Sequence, residues 1–203
     1  MFVSPTPTAT RASVRESLLV SQPAREALWR QPVAFALLFF ALLTLGLGLW
    51  AWRACDGVWT YALDDAYIHL AIAHNLGWHG VWGVSNTSFA SSSSSPLWTV
   101  LLAGVLRLWN SDLAPLVLNC FWSVAALIWT ARLWRSAWKT NGFSMRAQTV
   151  GLLVLVVVVP LPLLVLAGME HAMHAFLAVT FLGPPRKFWA NSKARVRCRG
   201  FRF

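Results

Sequence analysis

Acidic side chains are scarce in this chain, so each one is a candidate for chemistry. Of 203 residues only seven are Asp or Glu, and two of those are adjacent, in Asp64-Asp65-Ala66-Tyr67-Ile68. Neighbouring carboxylates raise one another's pKa and so supply a general base, or they hold a divalent cation such as Mg or Mn. The same pair also suits a helix start, with Asp64 as N-cap and Asp65 in the first turn of a helix running to about Gly77. The two readings are compatible. Glu170, flanked by His171 and His174, is the only acid after Asp112. An acid beside an apolar run is either a functional group or a simple interfacial glutamate.

Histidines and cysteines add less. On a helix Asp65, His69, Asn75 and His79 share an arc of about 120°, together with Ile68, Ile72 and Leu76. Metal ligation by His69 and His79 is one reading of that arc, and interfacial histidines are the other. Cys55, Cys120 and Cys198 are odd in number, widely spaced and without a CxxC pair, which argues against a disulfide framework or a zinc-cysteine site. The run Ser91–Ser95 reads as a flexible loop. Pro96 then opens a helix, with Trp98 expected at an interface.

These residues must be positioned by apolar elements. The chain is 57% hydrophobic and 12% charged, with 13 Trp and 12 Phe, whereas soluble domains carry about 25% charged residues. The expected fold is all-α, a polytopic membrane helix bundle with a helical extracytoplasmic first loop. Residues 1–32 form a basic, poorly ordered cytoplasmic arm. Val33–Trp52 is uncharged over 20 residues, 11 of them Val, Phe or Leu, long enough to cross about 30 Å of hydrocarbon. No small-x-small cleavage site follows, so it is a retained anchor and not a signal peptide. The loop 53–96 comes next, then the apolar segments 97–109, 113–131, 150–167 (broken by Pro160 and Pro162) and 172–182. Together 33–182 make one membrane domain. The net charge of +10 does not indicate nucleic acid, because the basic residues flank apolar runs or crowd the C-terminus.

Charge sets the topology. The basic arm places the N-terminus in the cytoplasm and the loop 53–96 outside it. Counting every run as a crossing would put Arg132, Arg135, Lys139 and Arg146 outside too, against the positive-inside tendency. If 97–109 is instead re-entrant or interfacial, 113–131 returns to the cytoplasm and 150–167 exits again. Gly168-Met169-Glu170-His171 then lies on the same side as Asp64, the arrangement preferred here. Arg107 can snorkel to the headgroups. Residues 183–203 carry seven Lys or Arg and no acid. They read as a truncated or frame-shifted end, or else as a polybasic tail for anionic lipid.

The ordered set DDAYIHLAIAHNLGWHGVWGVSNTSFASSSSSPLWTVLLAGVL resembles the first extracytoplasmic loop of bacterial GT-C-type membrane glycosyltransferases. These enzymes are polyprenyl-phosphate-sugar dependent and related to the aminoarabinose, arabinofuranosyl and protein mannosyl transferases. Gly168-Met169-Glu170 is similar to the family's later Gly-hydrophobic-Glu element. The resemblance covers about residues 33–182. It implies that Asp64 is a base or metal ligand and Asp65 the second acid, with Glu170 as a further catalytic acid. It implies that Pro96, Leu97 and Trp98 re-enter the membrane. It also implies a polyprenyl-phosphate-linked sugar donor, an extracytoplasmic acceptor and a place in the bacterial cytoplasmic membrane. The chain departs from the pattern at Ala71 and His74, where many relatives carry arginines, and in its shortness. It therefore reads as a truncated copy of such an enzyme, an N-terminal fragment either active or inactive on its own. Arg53 and Arg107 are the cations available to a leaving phosphate.

The competing reading is a non-enzymatic multi-pass membrane scaffold or a subunit of an envelope complex. A transporter is disfavoured by the lack of an internal repeat and of charge deep within a span.

Overall fold

The computed structural model describes residues 11–138 and 144–183, all helix and connecting turns with no strand among them. Seven helices follow in order: α1 (Arg11–Ala54), α2 (Asp64–His79), α3 (Pro96–Leu108), α4 (Ala114–Trp138), α5 (Met145–Val158), α6 (Leu161–Leu166) and α7 (His171–Leu182). Helix α1 begins at Arg11, inside the stretch expected to be poorly ordered. Its early residues include Arg, Glu, Ala and Leu, which are strong helix formers. The tail 184–203 lies outside the described residues.

Two segments are long and apolar enough to cross a membrane, Gln31–Ala54 and Ala114–Arg135. They run antiparallel. The start of the first (Val33, Ala36) packs with the end of the second (Ala131), and Phe40 and Leu127 share a cluster further along. Arg132 and Arg135 therefore sit at the α1 end that begins with Gln31, and the loop leading to α2 sits at the other.

The remaining apolar runs are shorter. Helix α3 has 13 residues, about 20 Å, and does not reach across about 30 Å of hydrocarbon. The run 150–167, expected to be broken by Pro160 and Pro162, is two helices. Pro160 has no N–H to continue the ladder, so α5 ends at Val158 and α6 restarts at Leu161. Helix α5 starts beside Val33 through Leu152, and its far end meets Phe40 and Leu127 through Val156. The chain is thus carried back toward the α2 end, where α7 begins.

Helices α2 and α3 form the cap at that end. His69 meets Thr99, Gly77 lies against Ala103 and Trp78 meets Arg107, so the pairs ascend together and the helices run the same way. A Cβ on Gly77 would stand 3.1 Å from the Ala103 carbonyl oxygen, so glycine permits this approach. The connection 80–95 must return along α2. Gly80 starts it in the left-handed region (φ 69°), closing α2 with bonds to Asn75 and Leu76. Asn75 then holds it, donating from Nδ2 to the carbonyls of Gly83 (2.8 Å) and Val84 (2.9 Å).

Trp98, expected at an interface, is instead fully buried between Leu70, Leu102, Met169 and Met173. Position in sequence put it near a membrane boundary, but the packing of α3 on α2 turns it inward.

Outside these cores the helices show apolar faces. On α1, Phe35, Leu38, Leu42, Leu45, Leu49 and Trp52 recur every three or four residues as one stripe, each between 44% and 61% exposed. Such a face is unusual on a chain dissolved in water and usual on one solvated by lipid. Leu127→Ala, at a 1%-exposed position, is expected to cost about 2–5 kcal/mol. Leu42→Ala, on the outer stripe, should change detergent-micelle stability by less than about 0.5 kcal/mol. Thermal unfolding of the two variants beside the parent measures the difference.

Candidate functional site

The site is assembled by a turn that only glycine permits. Gly168 has φ 72°, and a Cβ there would lie 2.5 Å from Cδ1 of Tyr61. Tyr61 is itself fixed twice. Its hydroxyl donates to the Asp112 carbonyl at 2.6 Å, and its N–H donates to the Tyr67 hydroxyl at 2.8 Å. With the ring lying over Gly168, Met169 turns into the core with Leu70, Trp98 and Met173. The next residue, Glu170, is delivered to α2.

Glu170 is 5% exposed, and its Oε2 makes no hydrogen bond. That oxygen stands 3.7 Å from Nε2 of His69, which is 1% exposed. Around the ring lie three hydroxyls. Thr99 Oγ1 is 3.1 Å from Nδ1, Ser93 Oγ is 3.3 Å from Nδ1 and Ser94 Oγ is 3.3 Å from Nε2. Ser93 also bonds Thr99 at 2.8 Å.

Thr99 Oγ1 has one proton to give and three partners within hydrogen-bond distance, Ser93 Oγ at 2.8 Å, His69 Nδ1 at 3.1 Å and the Ser95 carbonyl at 3.2 Å. On the other side of the ring, Ser94 Oγ and Glu170 Oε2 both face Nε2. Burial pushes the His69 pKa below the usual histidine range, with Glu170 and then Asp65 pulling the other way. With the ring charged and a proton on Nε2, the approach to Glu170 would become a buried ion pair. Ser94 is exposed and joins this nitrogen to the outside.

The acidic pair is placed differently from the sequence expectation. Leu63, in extended conformation, occupies the N-cap position, and Asp64 and Asp65 are both in the first turn of α2. Asp64 is therefore not the cap. Both acids are exposed. Asp65 lies one turn before His69 on its face and acts on it through space. Asp64 is turned about 100° away. The structure thus brings Glu170 to His69, with Asp65 one turn earlier on the same face of α2.

His79 does not join them. It lies ten residues further along α2, about 15 Å from His69 along the axis, and its ring neighbour is His74 at 6.5 Å. The shared arc was real, but the axial distance rules out a common ion. Of the two candidate cations, Arg107 lies over the Trp78 ring at 4.6 Å, and Arg53 is exposed at the end of α1.

Ser93, Ser94 and Thr99 were missed as site residues. A serine run has the composition of a linker, and the one local signal was its position directly before a helix-opening proline. Comparison of the chain with protein-family models, with curated proteins and with solved structures finds no match in any of the three.

Tyr61 gives the site a pH signature. Burial is the largest cause raising its phenol from 10.0 to about 12. The neutral phenol is favoured on folding, so its stabilising effect is complete below pH 10 and is lost as pH rises through about 12. Spectrophotometric titration should show a tyrosine ionising near pH 12, and Tyr61→Phe should remove that step.

Proposed function

We propose that the chain is a membrane protein of the GT-C glycosyltransferase type. It would transfer a sugar from a polyprenyl-phosphate donor to an acceptor outside the cytoplasm. The observation that carries this reading is the Glu170–His69 pair, 3.7 Å apart and buried. Glu170 belongs to the Gly-hydrophobic-Glu element and His69 to the helix that opens with the acidic pair. Two elements that the sequence resemblance names separately therefore share one site.

Orientation follows from charge. Arg132 and Arg135, with Arg146 at the start of α5, lie at the end opposite α2. The positive-inside tendency assigns them to the cytoplasm and the α2–α3 cap to the far side. Gln31–Ala54 and Ala114–Arg135 then cross, α3 stays within the cap, and the broken pair α5–α6 packs on one side against α1 and α4 through Val156, Leu161 and Val165. The outward apolar stripe of α1 faces lipid, the medium from which a polyprenyl donor arrives.

In the reaction a carboxylate takes the proton of the acceptor hydroxyl. The freed oxygen attacks the anomeric carbon, and the bond to the lipid phosphate breaks with its electron pair leaving on phosphate. Asp64, exposed in the first turn of α2, is the base. Asp65 is the second acid and biases His69. Glu170 stands beside Nε2 of His69, and Ser94 connects that nitrogen to the surface. A divalent cation of the Mg or Mn kind, when bound, would supply counter-charge to the leaving phosphate. Asp64 and Asp65 would hold it, since Mg is commonly bound by one or two carboxylates plus substrate phosphates.

The test is sugar transfer by membranes containing the full chain, with a polyprenyl-phosphate-linked sugar and Asp64→Asn as comparison. Transfer above empty membranes, falling about 100-fold or more in the variant, is expected. Absence of transfer, or an unaffected variant, would overturn the catalytic reading and leave a scaffold or complex subunit.

A further inference from the structure

Glu170 has a second side. Its neighbours His171 and His174 begin α7, one helical turn apart, and both are exposed while Ala172 and Met173 point inward. One ligand atom from each of Glu170, His171 and His174 lies within 4.8 Å of the others. Among the described residues this is the one group of three or more His, Cys, Asp or Glu side chains close enough to share an ion. The carboxylate is 93% buried, and its Oε2, which has no hydrogen bond, is the oxygen that faces His69.

We propose that Glu170, His171 and His174 form a binding site for a zinc-class divalent ion, with one coordination position open. The ligand set selects the metal class. Two imidazole nitrogens and one carboxylate oxygen suit zinc and the late first-row ions, whereas Mg and Ca prefer oxygen alone. Three protein ligands leave the fourth tetrahedral position to water or an anionic oxygen such as phosphate, the pattern of catalytic and not structural zinc. Bonds of about 2.0–2.1 Å would bring the ligand atoms to about 3.4 Å apart. The exposed imidazoles can supply that closure by side-chain rotation.

Burial explains why the site would want an ion. A carboxylate this deeply buried, with one oxygen lacking a donor, is costly, and a cation bound from the outer side would offset part of that cost while His69 remains on the inner side. One force opposes binding. The first turn of α7 carries the partial positive charge of a helix N-terminus, so three direct bonds are needed and a loose ionic contact does not suffice.

The site is distinct from the acidic pair and does not depend on sugar transfer, so its test reads metal directly. The purified full chain in detergent is stripped with chelator and titrated with Co²⁺ alone, then with Zn²⁺. Expected are intense visible bands of tetrahedral cobalt, saturating at one ion per chain and displaced by zinc. His171→Ala and Glu170→Gln should each weaken binding by about 10–100-fold or more. The Asp64→Asn/Asp65→Asn double variant should keep it. Because His171 is exposed, its variant retains the fold, and thermal unfolding without metal verifies this. No bands in the parent, or undiminished bands in His171→Ala, would overturn the proposal. Bands lost only with the acidic pair would assign the metal there.

Discussion

A carboxylate cannot be taken out of water alone, and the cap of this molecule is built around that constraint. Glu170 is buried with an oxygen that has no hydrogen bond. The group positioned to answer it is His69, on a helix more than a hundred residues earlier in the chain. Everything that brings the two together is local and specific. Gly168 supplies a backbone turn closed to other residues, Tyr61 fills the space where a Cβ would be, and Met169 anchors the turn in the core. Thr99 and Ser93 fix the imidazole from the opposite side. The functional reading rests on this convergence, and so does the alternating path of α1, α4 and α5–α6 that makes it reachable.

Where structure follows from short-range physics, the sequence was readable. Pro96 opens α3 because a missing N–H costs nothing in a first turn. Pro160 divides α5 from α6 for the complementary reason. The long apolar runs 33–52 and 113–131 became the two long helices, and the helices after them carry Glu170 back to α2. Asp64 and Asp65 do start a helix, though one position further in than expected, since extended Leu63 takes the cap position.

What the sequence hid is tertiary. Ser93 and Ser94 have the composition of a linker, and only the return of 80–95 along α2, held by Asn75, turns their hydroxyls to His69. Trp98 reads as interfacial by type, yet α3 rotates it into the core. The partnership of Tyr61 with Gly168 joins residues far apart and leaves no pattern in either neighbourhood. Periodicity placed His69 and His79 on one arc of a helix but said nothing of their separation along it.

The central claim is that His69 and Glu170 act on one another across the cap, and a double-mutant cycle tests it most directly. Stability of the parent, His69→Gln, Glu170→Gln and the double variant would be measured by unfolding in one detergent. The account predicts a coupling energy of about 0.5–3 kcal/mol, as for residues in contact. Additivity to within about 0.3–0.5 kcal/mol, the behaviour of independent sites, would contradict it.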